Sequence, residues 1–269
     1  MYEYPQINVD SIQSAIVKGM RCGYNKCLMY LGETEEGLSS IQEYILTVSV
    51  ADSLSESLIF TNQVRVEHPY QEFSDEAFPP SGFRNNNPFD CIYRKQVFDK
   101  PDKRKIDIAL LSTNGGRSLC GIEIKAINQS YNKIRNDIER LSEALQRRDD
   151  VSESSLQVCF VTFIKRMDKW FKYVSNADVD AYKEKSQKKI IQKLISTMQP
   201  IFPDLAYSLD SFTIDVLTAE KEFEHVFDDG EDFSHRTRAI FGYIIKILPD
   251  KINKDKIMCN GDTRDRCPK

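Results

Sequence analysis

Asp107, Glu123 and Lys125 stand in two short apolar runs within KIDIALLSTNGGRSLCGIEIK, the stretch from Lys105 to Lys125. Strand alternation puts Ile106, Ile108 and Leu110 on one face of a first strand and Asp107 on the other. In a second strand Ile122 and Ile124 share a face, and Glu123 and Lys125 share the opposite one. Two carboxylates held side by side repel unless positive charge lies between them. Oxygen donors of this hard kind favour Mg2+ or Mn2+. An ammonium beside such a cation can hold or deprotonate a water, or neutralise charge on a phosphate.

Register decides whether the three side chains meet. A two-residue loop of Asn114-Gly115 sets Asp107 opposite Ile122, and the carboxylates face apart. A three-residue loop of Asn114-Gly115-Gly116 pairs Thr113 with Arg117, and so Asp107 with Glu123. The three-residue type wants glycine at its last, left-handed position, which Gly116 supplies. The odd loop is therefore expected, since a slip of one residue would scatter the charges.

The spacing Asp107…Glu123-Ile124-Lys125 resembles the PD-(D/E)xK nuclease superfamily, with Ile106 where the usual Pro precedes the Asp. The resemblance implies an α/β, restriction-endonuclease-like fold: a mixed central sheet flanked by helices. It implies a metal-dependent endonuclease using Mg2+ (or Mn2+). Asp107, Glu123 and the Ile124 carbonyl would be ligands, and Lys125 would position or activate the attacking water. It also implies DNA before RNA as substrate, action as a homodimer or with a partner protein, and a role in restriction or anti-phage defence. The alternatives are a non-catalytic nucleic-acid-binding or assembly subunit on the same fold, and a protein-interaction scaffold. The acidic net charge favours the last.

Other elements must bring these residues together. Leu38 to Leu54, LSSIQEYILTVSVADSL, carries two capping-box patterns, Ser39…Gln42 and Ser40…Glu43, so a helix is expected to start there. Its apolar residues surround the axis, which predicts burial, although YILTVSV also suits a strand. Glu43 is its only charge before Asp52. A buried carboxylate needs a partner, a metal or a proton. The resembled family often draws a further Glu from such a helix, so Glu43 is the candidate fourth site residue and metal ligand. The other role open to it is capping its own helix.

After Lys125, Tyr131, Ile134, Ile138, Leu141 and Leu145 recur at helical spacing, with Ser130 as the candidate N-cap. Asn128 and Gln129 lie at the strand-to-helix corner and could orient a water or phosphate. Leu156 to Ile164 (LQVCFVTFI) reads as a central strand covered on both faces. Lys165 to Tyr173 mixes basic and aromatic residues. That pattern suits a half-wet helix and, second to it, a surface for nucleic acid.

Between Arg94 and Lys105, six basic residues stand against Asp99 and Asp102. Arg94, Lys95, Lys103, Arg104 and Lys105 are the candidate contacts to a phosphate backbone, and a solvated loop explains the same letters. Cys91 to Val97 is expected to be the first strand of the central meander, and residues 69–90, rich in Pro and Asn, a long loop. A strand or helix-to-strand passage is expected over Leu58 to Glu67. Ser11 to Met20 suggests a short helix, 178–198 a basic helix, and Ser211 to Leu217 a late strand. Thr237 to Leu248 suits a helix or a strand.

The chain has 269 residues, 41% hydrophobic and 29% charged, in the range of a soluble globular protein. One domain over residues 1–248 and a flexible tail over 249–269 are expected. The net charge of -4 argues against a protein that simply coats a polyanion. The seven cysteines lack paired spacing and read as reduced thiols. His225 and His235 have no metal-ligand spacing. No run of 18 apolar residues and no basic-then-apolar leader is present, so a cytoplasmic protein with no membrane partner is expected.

Overall fold

A computed structural model describes residues 6–31, 42–58, 62–77, 104–113, 116–146, 154–170, 176–217 and 236–250. Six strands form one mixed sheet with helices on both faces. In chain order the elements are α1 (Val9–Leu31), α2 (Glu43–Ser57), β1 (Asn62–Pro69), α3 (Tyr70–Glu76), β2 (Lys105–Ser112) and β3 (Ser118–Ile127). Then follow α4 (Tyr131–Gln146), β4 (Val158–Trp170), α5 (Asn176–Ile190), β5 (Leu205–Leu217) and β6 (Arg236–Pro249). Past α5 the helix widens into a π turn over Ile191–Ile195 and ends with Ser196–Met198.

The strand order is β1-β2-β3-β4-β6-β5. Only β3 and β4 run parallel, and α4 supplies the crossover that a parallel pair requires. Strand alternation divides the core. Ile108, Leu110, Ile122 and Ile124 face α1 and α2, whereas Ala109, Leu111, Val161 and Phe163 face α3, α4 and the α5 region. In α4 the stripe Ile134, Ile138, Leu141 and Leu145 is buried, as its spacing predicts. The Ser130 hydroxyl accepts the Lys133 N–H at 3.4 Å, as an N-cap does.

Helices α1 and α2 pack closely because Gly19 lets them. A Cβ at Gly19 would lie 2.4 Å from the Cα of Val50 and 2.8 Å from the Ser49 carbonyl oxygen. Glu43 is the first residue of the helix held by this contact.

Several expectations change. Helix α1 runs 23 residues, well beyond a short Ser11–Met20 helix. Helix α2 begins at Glu43 after Gln42, whose side chain makes no cap hydrogen bond. Ser39 and Ser40 lie outside the described residues. Helix α2 is not buried all round either, because Tyr44 is exposed. Strand β2 lies between β1 and β3, and Cys91–Val97, expected to be a strand of the meander, lies outside the described residues. Tyr70–Glu76 is a helix where a loop is expected. Lys165 to Trp170 extends β4, because twelve consecutive β4 residues pair with β6 and this ladder overrides the helical letters. Thr237–Leu248 falls within strand β6. Beyond Asp250, the expected tail lies outside the described residues. Among the described residues no helix is long and apolar enough to cross a membrane.

Candidate active site at the end of the central strands

In β2 and β3, Ile108 pairs with Ile122, Ala109 with Gly121 and Leu110 with Cys120. Extending this register by one residue sets Asp107 across from Glu123. The route to that register differs from the expected odd loop. The Ser112 N–H donates to the Arg117 carbonyl at 2.8 Å, and Leu111 pairs with Ser118, so Thr113 does not pair with Arg117. A bulge at Leu119 adds one residue to β3 and restores the register. Gly116 has the left-handed φ of 63° that its place in the turn requires.

The Lys125 ammonium is the centre of the cluster. Its Nζ lies 3.3 Å from Glu43 Oε1, 3.6 Å from Asp107 Oδ2, 3.6 Å from Glu123 Oε2 and 3.4 Å from Asp137 Oδ2. It also donates to the Ile124 carbonyl at 3.0 Å. Four elements contribute carboxylates: α2, β2, β3 and α4. Asp107 Oδ2 accepts the Ile124 N–H at 2.7 Å, and Glu43 Oε2 accepts the Ala126 N–H at 3.5 Å. Glu43 thus spends its carboxylate on β3 and not on its own helix.

Arg140 completes the group. Its guanidinium pairs with Glu123 Oε1 and donates to Asp137 Oδ1 at 3.0 Å. The Glu123 side chain is 1% exposed, Lys125 13% and Glu43 39%. A cavity of about 470 Å³ adjoins it, lined by Arg104, Lys125, Lys133, Asp137, Arg140 and Glu143 among others.

Burial, with Asp107 next in weight, pushes the Glu123 carboxyl well above the ordinary carboxylate range, against the pull of Arg140 and Lys125. Burial also raises Asp137, partly offset by Lys125 and Arg140. For Lys125 burial acts downward, but Asp107, Asp137, Glu123 and Glu43 outweigh it and raise the ammonium above its usual value. Lys125 therefore stays charged near neutral pH.

The donor set suits a hard divalent cation in its chemistry: oxygen atoms only, with four acids against two bases. Its spacing is that of an ammonium cage. Among the described residues the one group of three His, Cys, Asp or Glu donors lying within 4.8 Å of one another is elsewhere, at His68, Glu72 and Glu76. For the Lys125 carboxylates to close on one ion at about 2.1 Å, they must draw inward as the ammonium moves aside.

Of the candidate phosphate contacts, Arg104 lines the cavity and stacks 5.1 Å from the Tyr70 ring centroid. Lys105 is exposed and pairs with Glu67 at 3.2 Å. Arg94, Lys95 and Lys103 lie outside the described residues, as do His225 and His235. Asn128 adopts a left-handed φ of 55°, and its Oδ1 accepts the Arg166 N–H at 3.3 Å. That side chain locks the corner between β3 and β4 and is not turned to a ligand.

Two members of the cluster escape the sequence reading: Asp137 and Arg140. The signal is Asp137 itself, a carboxylate inside the apolar stripe Ile134, Ile138 and Leu141 with an arginine three residues on. The buried His68, bonded to Glu76 at 2.8 Å, is also missed; Glu76 accepts the Ser118 hydroxyl of β3 as well, at 3.3 Å. No family model matches the chain, and no curated protein or solved structure matches it either.

Proposed function

We propose that this chain is a metal-dependent nuclease of restriction-endonuclease-like fold that hydrolyses phosphodiester bonds, with DNA the first substrate to test. The observation that carries this reading is the Lys125 ammonium within 3.6 Å of carboxylates from α2, β2, β3 and α4. The run α2-β1-α3-β2-β3-α4-β4, with β3 and β4 parallel, supports it as well, since it sets the Asp107…Glu123-Ile124-Lys125 pattern on adjacent strands.

Asp107, Glu123 and the Ile124 carbonyl are the residues that would hold Mg2+ or Mn2+, with Glu43 and Asp137 beside them. Such an ion supplies Lewis acidity at the phosphate and a more acidic bound water. Lys125 does the rest as a donor. Its raised proton affinity means that it holds a water or neutralises a phosphate oxygen, and does not take a proton from the water. Arg140 keeps Glu123 and Asp137 oriented. Arg104, on the cavity wall, would meet the substrate backbone. A role in restriction or anti-phage defence, with a second copy or a partner, belongs to the same proposal.

A second reading, an idle site on a nucleic-acid-binding subunit, draws on one feature: Lys125 and Arg140 already balance half of the four carboxylates. The experiment is cleavage of supercoiled plasmid and of labelled single-stranded and duplex oligonucleotides with Mg2+. The controls are EDTA and Lys125→Ala. Cleavage lost in both controls supports the nuclease. Retarded DNA that stays intact supports the idle site, and neither result leaves both readings without support.

A further inference from the structure

Two lysines meet one aromatic ring beside the candidate site, and a third adds its charge to them. The Lys165 amine lies 3.9 Å from the centroid of the Tyr131 ring and donates to the Tyr131 hydroxyl. The Lys193 amine lies 5.4 Å from the same centroid. Lys189, one turn earlier in the chain, adds its charge: burial first, then Lys189 and Lys193, lowers Lys165 to about 8. The ring offsets part of the repulsion. Among the described residues no carboxylate lies within ion-pair distance of any of the three, whereas Lys18, Lys26, Lys105 and Lys125 all have acidic partners. Lys193 also sits in the π turn, an irregularity found more often at functional sites than elsewhere.

Their place matters as much as their charge. Lys125 on β3 pairs with Phe163 on the parallel strand β4, and Lys165 lies two residues further on the same face. Strand spacing and rise put the Lys125 and Lys165 Cα atoms about 8 Å apart. At about 3.4 Å of helix axis per nucleotide, that is two to three nucleotides of one strand.

We propose that Lys165 and Lys193 on the Tyr131 ring, with Lys189 one turn before Lys193, form a phosphate subsite that takes a backbone phosphate of a nucleic-acid strand passing the Lys125 cluster. This rests on the nuclease reading for the strand's path, but it is tested by binding alone. Anisotropy of a labelled oligonucleotide is measured on the full chain in EDTA, where cleavage cannot confuse the readout. The variants are Lys165→Gln, the double Lys189→Ala/Lys193→Ala, and Lys18→Ala as a charge control on α1. Circular dichroism checks the fold of each.

The double variant is expected to bind about tenfold more weakly at low salt, with the slope of log K against log salt falling by about 0.7 for each phosphate left without a cation. Lys165→Gln is expected to weaken binding in the same direction, and Lys18→Ala to match the wild type. Trio variants that bind like Lys18→Ala overturn the subsite. Calorimetry with inorganic phosphate separates the other source: phosphate binding that needs the trio, with oligonucleotide binding that does not, also overturns it. Trio-dependent binding in a wild type that never cleaves with Mg2+ upholds the subsite and removes the nuclease.

Discussion

Glu43 and Lys125, 82 residues apart in the chain, meet at 3.3 Å between Oε1 and Nζ. The contact ties the first residue of a helix on one face of the sheet to the end of a central strand. It draws α2 into a cluster that β2, β3 and α4 otherwise form from the opposite layer.

Lys125→Ala leaves four carboxylates facing Arg140 alone. Removing one partner of a buried ion pair costs about 3–5 kcal/mol, less whatever proton uptake by the carboxyls recovers. Cleavage is expected to fall by about 10²–10³-fold, the scale for losing one aimed donor. Urea unfolding and plasmid cleavage measure the two effects, and an unchanged urea midpoint contradicts the cage.

The pH dependence of stability isolates Glu123. Its folded carboxyl sits well above the ordinary range, through burial and then Asp107. The folded state therefore binds this proton more tightly, and the group's contribution falls as pH rises from its unfolded value of about 4.3 toward the folded one. Lys125 acts in another window: its contribution is complete below about 10.4 and is lost above it. Glu123→Gln is expected to raise the urea midpoint relative to wild type at about pH 8 and to match it at about pH 4. Equal differences at both pH values would mean that Glu123 ionises normally.

Metal linkage gives a readout without turnover. An ion bound only to the folded chain stabilises it by about 2.7 kcal/mol at a hundred times its dissociation constant. Mg2+ or Mn2+ is expected to raise the Tm of the wild type and not that of Asp107→Asn. If both proteins shift alike, the ion binds elsewhere, and the His68, Glu72 and Glu76 group becomes the place to look.

Arg140 and Glu123 should couple. Arg140→Ala alone leaves Glu123 buried without its guanidinium, at a cost of about 3–5 kcal/mol. Arg140→Ala with Glu123→Gln removes the stranded charge and is expected to recover more than half of that loss. A double-mutant cycle from denaturant midpoints reads the coupling, and strict additivity contradicts direct pairing.

Gly19→Ala tests how the helices hold Glu43. The new Cβ would meet the Val50 Cα at 2.4 Å, so α1 and α2 must part. Overpacking of this kind costs about 1–3 kcal/mol. Because the start of α2 moves with the helix, cleavage is expected to drop even at temperatures where the variant stays folded. Full activity in a folded variant would show that Glu43 is dispensable.

Ile106, expected beside Ile108 and Leu110, packs in the opposite layer with Ala109 and Leu111. The alternation of Ile108 and Leu110 with Asp107, and of Ile122 and Ile124 with Glu123 and Lys125, made one face of two strands legible from letters alone. The turn did not, because the bulge at Leu119 answers to strand pairing and not to turn residues. Glu43 was legible as a lone charge among apolar neighbours, and the family resemblance joined it to Asp107, Glu123 and Lys125, which spacing alone could not do because Lys125 lies far along the chain. Asp137 and Arg140 were hidden by a default: charged residues on an amphipathic helix read as its wet face. The extension of β4 to Trp170 was hidden by its basic and aromatic letters, which lose to the β6 ladder.

The ammonium cage has a consequence for the order in which the protein matures. Its acids come from residue 43 through residue 137, and the parallel partner of β3 is later still. A chain still emerging from the ribosome carries Asp107, Glu123 and Lys125 but neither the helix that closes over them nor the strand that flattens them into place. The cage is thus complete only once α4 and then β4, ending at Trp170, have been made.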